Sequence, residues 1–425
     1  MKRRFAAILL LALGLALICA MAQADDVRTS GDFQYTLKRD GSAELVAYTG
    51  DADNVIIPNG LDGHAITSVQ GNPFYYYNSY SDYGVKACTV SVATDHPYLA
   101  TIQGVLFGKS DARLIYYSPL LTASSYEIPL GIRVIGSRAF YGCGSLTEVN
   151  IPESVNEIGQ AAFRACSGLK RVELPKGLTS IENETFHSCG SLAEISIPDH
   201  VIRIGSNAFW ECASLTSVTI PDSVSEIGYA AFGKTGLINV VIPQTVRTIG
   251  DNAFGINPSL MSITFPEGME VIPSGIVFRC TALTEITIPA SVRSIGGSAF
   301  EACTGLTSVI IPEGVASIGD FAFDRCENLV SVVIPDSVTE IGEHAFDLGT
   351  FGSWYVNPNL LITVSRGSVG ESYCIANGIR YTSPDVTYGD DDSWLVWPVW
   401  ESESVAGEDG WWDEVTEAGE DGWWD

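Results

Sequence analysis

The sequence contains few basic residues and few histidines for its length. Its 425 residues include 23 Lys and Arg against 51 Asp and Glu, which gives a formal net charge of -28 at pH 7. An acidic surface repels phosphate backbones, so we expect no nucleic-acid partner. No two of the five histidines have the spacing of a zinc-binding motif, and no nucleophile signature accompanies them. We therefore expect surface histidines and neither a metal nor a cofactor.

Only one stretch of the sequence is long and apolar, and it lies at the amino terminus. Three basic residues precede an apolar run from Phe5 to Ala20, and Ala-Gln-Ala follows it. This order is typical of a secretory signal peptide, so we predict that residues 1–24 are removed. Lipid attachment at Cys19 is the alternative, but Ile18 stands where a small residue is required. The remaining chain has no segment apolar enough to cross a membrane.

A 23-residue repeat dominates the rest of the sequence. Each unit follows the pattern Cys-x-x-Leu-x-x-Val-x-Ile-Pro-x-x-Val-x-x-Ile-Gly-x-x-Ala-Phe-x-x. The proline recurs every 23 residues, with one interval of 22, at positions 129, 152, 175, 198, 221, 243, 266, 289, 312 and 335. Val218 and Ile220 alternate with polar residues, as in a half-buried β-strand, and the following proline ends the strand. Because one unit cannot bury its apolar face alone, we predict stacked units with a parallel sheet.

The second half of each unit returns the chain to the next strand. Val224 and Ile227 form a second apolar pair, and we predict that Gly228 permits the turn after them. We place Ala231 and Phe232 on a short helical or 3₁₀ segment. Glu182 and Pro273 replace this glycine in two units, so we expect a distorted corner near Pro273.

This repeat resembles that of the BspA-type leucine-rich repeat family of bacterial and some protist surface proteins. The resemblance covers most of the chain up to about Pro384 and rests on ten copies. It implies a leucine-rich-repeat solenoid: a curved right-handed superhelix with a parallel β-sheet on its concave face and short helical or 3₁₀ segments. It also implies a secreted or cell-surface protein.

The resemblance and the composition together divide the chain into five predicted regions. These are a signal peptide at 1–24, an N-terminal cap with irregular repeats at 25–127, regular repeats at 128–350, a C-terminal cap at 351–384, and an acidic, tryptophan-rich tail at 385–425 that we predict to be disordered. Within the C-terminal cap, Ser368 to Asn377 reads as a short helix that Gly378 ends.

Two ladders of repeated side chains are predicted to be structural. Cysteine occupies one position of the unit at 143, 166, 189, 212, 280, 303 and 326, whereas Thr235 and Asn257 stand there in two units. Since Thr and Asn are accepted, we predict half-buried thiols; disulfides between adjacent units and metal binding are the alternatives. The phenylalanines at 140, 163, 186, 209, 232, 254, 300, 323 and 346 are predicted to be core.

The residues left for function lie on the exposed side of the strands, on a tyrosine-rich stretch and in the tail. We predict partner contacts at Asn150, Glu173, Thr219, Val241, Thr264, Thr287, Ile310 and Val333, at Tyr76 and Tyr77, and at Trp411, Trp412, Trp423 and Trp424. For the tyrosine-rich stretch, packing against the first repeats is the alternative, and for the tail a solvated, docking, retention or metal-associated role stays open.

An extended, repetitive surface suits proteins or polymers better than small metabolites. We therefore predict a non-enzymatic protein that mediates adhesion or protein–protein interaction with extracellular or surface proteins. Binding of glycans, or a structural role in the envelope, is the alternative. Hydrolysis is a third hypothesis, for which the sequence shows no cleft around its many carboxylates.

Overall fold

The structure is a computed structural model that describes residues 26–79, 82–348 and 355–384. The predicted signal peptide and acidic tail lie outside the described residues. The described chain is a β-solenoid, and a leucine-rich-repeat architecture is therefore confirmed. The N-terminal strands are β1 (Arg28–Ser30), β2 (Phe33–Leu37), β3 (Ala43–Tyr48), β4 (Asn54–Ile57), β5 (Gly60–Leu61), β6 (His64–Val69), β7 (Tyr75–Ser79), β8 (Asp82–Val85), β9 (Thr89–Val92), β10 (Leu99–Ile102), β11 (Val105–Gly108) and β12 (Arg113–Tyr116).

The repeats contribute short strands at two positions of each coil. In chain order they are β13 (Ser125–Glu127), β14 (Val134–Ile135), β15 (Glu148–Asn150), β16 (Glu157–Ile158), β17 (Arg171–Glu173), β18 (Ser180–Ile181), β19 (Glu194–Ser196), β20 (Arg203–Ile204), β21 (Glu226–Ile227), β22 (Asn239–Val241), β23 (Thr248–Ile249), β24 (Ser262–Thr264), β25 (Val271–Ile272), β26 (Ser294–Ile295), β27 (Ser308–Ile310), β28 (Ser317–Ile318), β29 (Ser331–Val333), β30 (Glu340–Ile341), β31 (Leu361–Thr363) and β32 (Arg380–Thr382).

The strands before the repeat's proline form what we call the first sheet. All its pairs are parallel, in three parts with the orders β13-β15-β17-β19, β22-β24 and β27-β29-β31-β32. The parallel sheet predicted from the repeat is therefore confirmed, but it is not continuous. Thr219 and Thr287 stand at the strand position of the two coils where the first sheet is interrupted.

The strands after the proline form a second sheet, which the sequence did not lead us to expect. Its parts are β14-β16, which continues β10-β11-β12, then β18-β20-β21-β23 and β25-β26-β28-β30. Each strand has only two residues, so the apolar alternation that reveals a strand cannot develop. The isoleucine of the predicted second apolar pair therefore lies in a strand that the sequence pattern did not indicate; Ile227 in β21 is an example.

The glycine after this isoleucine is required for close packing of coils. A Cβ atom on Gly228 would lie 2.5 Å from the backbone nitrogen of Ser206 in the preceding coil, and one on Gly159 would lie equally close to that of Ser137. The second sheet is broken at the two coils where Glu182 and Pro273 replace this glycine. The second of these breaks is the distorted corner expected near Pro273. Proline contributes to it because proline also lacks the backbone N–H that would bond to the preceding coil of the second sheet.

The segment around each phenylalanine is a series of turns, so the predicted helical or 3₁₀ segments are wrong. The Phe140 N–H donates to the carbonyl oxygen of Ala162 in the next coil at 2.7 Å, and the Arg138 N–H donates to that of Gln160. Arg138 and Gly142, two residues to either side of Phe140, have φ values of 58° and 75°. Alternate residues can therefore face the next coil. The described chain contains one helix, α1 (Val369–Asn377), which Gly378 ends as predicted, while Ser368 is its N-cap and not its first residue.

The phenylalanines form the core that the repeat predicts. Their rings stack from coil to coil with centroids 4.9 to 5.5 Å apart from Phe140 to Phe254, and again from Phe300 to Phe346. Between these two stacks Val277 occupies the buried position, while Phe278, one residue later, is half-buried. A smaller hydrophobic cluster, from Tyr35 to Tyr116, lies under the N-terminal strands.

The cysteines are more deeply buried than predicted. All seven of the ladder are at most 2% exposed, because each thiol points into the core and donates to a carbonyl of the preceding coil. The Cys166 Sγ, for example, lies 3.0 Å from the Phe140 carbonyl oxygen. In one of the two coils that lack a thiol, the amide Nδ2 of Asn257 makes the equivalent bond to the Phe232 carbonyl oxygen.

Candidate functional site

The predicted partner-binding residues of the repeats lie on the outward side of the first sheet, which we call the first-sheet face. In each strand two outward residues flank a buried one, as Arg171 and Glu173 flank Val172. Seven of the eight predicted residues are exposed, with Val241 at 67% and Ile310 at 70%. Val333 is half-buried.

The structure brings neighbouring members of this set together but spreads the whole set along the solenoid. Val241 is in register with Thr264, and Ile310 with Val333. Asn150 and Val333 are eight coils apart, or roughly 40 Å at about 4.8 Å per strand. The candidate site is therefore an elongated surface and not a pocket around one point.

A groove of about 550 Å³ lies within the N-terminal half of this face. Glu173, Thr219, Arg171 and Glu194 are among its lining residues. Arg171 donates to Glu173, but both side chains are largely exposed, so this ion pair contributes little to stability. The groove is open and polar, which suits a chain segment better than an enclosed small molecule.

Charge is unevenly distributed along the first-sheet face. In β13 to β19 the outward residues include four exposed glutamates: Glu127, Glu148, Glu173 and Glu194. From β22 to β32 the outward positions are mostly Ser, Thr and aliphatic residues. The two halves therefore offer different chemistry to a partner.

Exposed apolar residues also lie at the corners that lead into the strands, and these were not singled out in the sequence. Ile238, Met261 and Val330 follow the repeat's leucine and are 38%, 57% and 45% exposed. The sequence could have identified these residues as outward-facing, because other coils have a polar residue such as Lys170 or Thr216 at this position.

The tyrosine-rich stretch is divided between packing and exposure. Phe74 is buried, and Tyr75 packs against Tyr141 with the guanidinium of Arg138 3.9 Å from its ring centroid. Tyr76 and Tyr77, on the antiparallel hairpin of β7 and β8, are 43% and 56% exposed. Packing against the first repeats therefore applies to Phe74 and Tyr75, whereas partner contact at Tyr76 and Tyr77 stays a prediction. The tryptophans predicted at 411, 412, 423 and 424 lie outside the described residues.

The surface positions expected for the histidines hold fully only for His200, because His64, His187 and His344 are half-buried and His96 is buried. His96 is fully buried, and its Nδ1 accepts hydrogen bonds from the backbone N–H groups of Leu99 and Tyr98. Burial lowers the pKa of His96. Its fixed role in a turn indicates a structural residue.

His187 is the histidine nearest to a triad-like arrangement. Its Nδ1 lies 2.8 Å from the Ser188 hydroxyl, which donates to Glu211 at 2.8 Å. Burial lowers the pKa of His187 to about 4. In a catalytic triad the imidazole lies between the hydroxyl and the carboxylate, whereas here the hydroxyl lies between the other two. This arrangement orients side chains and does not activate a nucleophile.

The part of the chain that the structure describes has neither a metal-binding cluster nor a membrane-spanning helix. There, His, Cys, Asp and Glu nowhere form a group of three or more that could hold a metal ion. Over the same residues, no helix has both the length and the apolar character needed to cross a membrane.

Comparison with solved structures finds several leucine-rich repeat proteins. A leucine-rich cell surface protein from Faecalibacterium prausnitzii is 26% identical, with 86% of this chain and 100% of that chain covered and a TM-score of 0.42. A leucine-rich repeat protein from Bacteroides ovatus is 21% identical, with 84% and 99% covered and a TM-score of 0.45. One from T. pallidum is 25% identical, with 66% and 90% covered and a TM-score of 0.30.

No curated protein matches the sequence. The model of the BspA type leucine-rich repeat region matches residues 116–238 and 225–350, in six copies. These ranges together span more than half of the 425 residues and contain both sheets of the regular coils. The chain therefore belongs to the BspA-type leucine-rich repeat family.

Proposed function

We propose that this chain is an exported, non-enzymatic protein that binds a protein partner outside the cell or at its surface through the first-sheet face. The observation that supports the proposal is the exposed double row of side chains on this face, which extends over successive coils and contains an open groove. Rigid strands hold these side chains in fixed register, so little conformational entropy is lost on binding. The predicted leader at 1–24 supports export.

The test compares matched charge reversals on the two sheets. Glu173→Arg lies on the first-sheet face, whereas Glu157→Arg makes the same change at an exposed position of β16 in the second sheet. Binding of the purified chain to extracellular-matrix, mucin and bacterial-surface preparations is measured by surface plasmon resonance. We expect saturable binding that Glu173→Arg weakens at least tenfold and Glu157→Arg leaves within twofold, since losing one buried or charged contact costs about 1–3 kcal/mol. Equal effects of the two variants, or no saturable binding, would contradict the proposal.

A second candidate is glycan binding, favoured by the exposed pair Tyr76 and Tyr77 on the hairpin. Exposed aromatic rings offer flat apolar faces together with hydroxyl groups, which suits stacking on sugars. Tyr76→Ala combined with Tyr77→Ala should then abolish retention on a polysaccharide column and leave protein binding unchanged. Retention of the double variant equal to that of the parent chain would remove this candidate.

A further inference from the structure

On the first-sheet face, the exposed apolar side chains lie in the C-terminal half, whereas other exposed apolar residues of the regular coils, such as Leu130 and Ile202, lie off this face. Val241 and Ile310 stand at outward positions of β22 and β27, and Met261 and Val330 lie at the corners before β24 and β29. A single exposed aliphatic residue is ordinary on a protein surface. Pairs of them on adjacent coils, about 4.8 Å apart, form two apolar patches, one at β22 and β24 and one at β27 and β29, separated by the coil of Thr287. We call the two patches together the apolar surface, and exposed patches of this kind are typical of binding sites.

This half of the face differs from the other half in charge. The outward residues of its last four strands are Ser308, Ile310, Ser331, Val333, Leu361, Thr363, Arg380 and Thr382, none of which is acidic. Over the whole C-terminal half, Glu285 is the one exposed glutamate at an outward position, whereas the N-terminal half presents the four named above. An acidic ligand with apolar side chains would therefore be repelled by the N-terminal half and accepted by the C-terminal half.

Residues 385–425 of the same chain have this chemistry. They contain 14 acids, no Lys or Arg, and seven of the nine tryptophans. The sequence Ala-Gly-Glu-Asp-Gly-Trp-Trp-Asp occurs twice within them, ending at Asp413 and Asp425. Repetition of paired tryptophans at a fixed interval of twelve residues gives the tail two similar apolar segments.

The place where the tail leaves the solenoid brings it close to the apolar surface. The described chain continues only two residues beyond Thr382, the end of β32, which is the last strand of the first sheet. From β32 back to β22 is six coils, or about 30 Å, whereas 41 residues can span more than about 100 Å when extended. A tether of this length gives an effective concentration in the millimolar range, so weak contacts are sufficient for binding.

We propose that residues 385–425 bind to the C-terminal half of the first-sheet face of their own chain, with their tryptophans on the apolar surface formed by Val241, Met261, Ile310 and Val330. The tail then competes with any external partner for this half of the face. Only the competition between the tail and an external partner rests on the proposed function. Binding of the tail in cis is measured without a partner, so the two proposals can fail separately.

Tryptophan fluorescence of the full chain tests the inference, because the tail supplies most of the tryptophans. The emission maximum and acrylamide quenching are compared for the parent chain, for Val241→Ser combined with Ile310→Ser, and for Ile56→Ser. Ile56, in β4, is a 69% exposed isoleucine outside this surface and serves as the matched control. A synthetic peptide of residues 385–425 provides the emission of the unbound tail.

We expect the tryptophans of the parent chain to emit at a shorter wavelength than those of the free peptide and to be less readily quenched by acrylamide. The double variant should lose this blue shift, Ile56→Ser should keep it, and neither result should depend on protein concentration. Emission of the parent chain equal to that of the free peptide would overturn the inference. So would an unchanged spectrum in the double variant, or a blue shift that disappears on dilution, which would indicate binding between two copies.

Discussion

The side-chain amide of Asn257 donates to the carbonyl oxygen of Phe232 at 2.9 Å, where other coils use a cysteine thiol. The same side chain accepts, at its Oδ1, hydrogen bonds from the backbone N–H and the hydroxyl of Thr235, at 2.6 and 2.8 Å. All of these atoms are buried. Thr235 and Asn257 therefore replace two thiols of the ladder as a pair, in the part of the repeat where one unit is shortened to 22 residues.

Asn257→Ala should destabilise the fold, because it leaves the Thr235 N–H buried without its acceptor and removes one of the two side-chain donors to the Phe232 carbonyl. An unsatisfied buried polar group costs about 1–3 kcal/mol. Urea unfolding followed by circular dichroism measures the loss. Asn150→Ala, at an exposed strand position, is the control and should change stability by less than about 0.5 kcal/mol. Equal stabilities of the two variants would contradict the role assigned to Asn257.

The ladder thiols should be unreactive while the protein is folded. Burial raises the pKa of Cys212 and of Cys280 to about 12, so at pH 8 almost none of either is the reactive thiolate. Labelling with iodoacetamide, followed by mass spectrometry, should modify these cysteines only after urea is added. Modification of Cys212 in the native protein at the rate of a free thiol would show that the coil opens.

Gly228→Ala should be more damaging than Gly→Ala at an exposed position of another repeat unit. Its Cβ would lie 2.5 Å from the Ser206 nitrogen, and separating the coils should cost about 1–3 kcal/mol. Gly177→Ala is the control, because no atom lies within 4 Å of a Cβ built there. That variant should be neutral or slightly more stable, since alanine restricts the unfolded chain. Thermal unfolding temperatures compare the two, and a lower value for the Gly177 variant would contradict the prediction.

The repeat period was sufficient to predict the solenoid, the first sheet and the phenylalanine core, because each follows from apolar residues at fixed spacing. It did not reveal the second sheet, since a strand such as Glu226–Ile227 is too short to show alternation. The turns around Phe163 were mistaken for helix because Ala161 and Ala165 adopt positive φ. Alanine rarely has this conformation, so its presence in the sequence does not predict it. Here coil-to-coil hydrogen bonds determine the backbone, and local propensity does not.

The sequence was sufficient to predict where the candidate site lies, but not that the first sheet beneath it is interrupted. Alternation identified Val241 and Ile310 as outward residues, and both are exposed. The break at Thr219 could not be foreseen, because its coil has the same apolar pattern as its neighbours. Strand pairing depends on how closely adjacent coils approach, which a single unit does not encode.

Stability should fall in mildly acidic solution because of His187. Burial lowers the pKa of His187 from 6.5 to about 4 in the folded chain, so the unfolded chain takes up the proton first as the pH falls. The contribution of neutral His187 is therefore complete above pH 6.5 and is lost between pH 6.5 and about 4. His187→Gln should flatten the pH dependence of the urea midpoint in this window, whereas His200→Gln, at an exposed position, should leave it unchanged. If both variants kept the slope of the parent chain, His187 would not be the group that titrates.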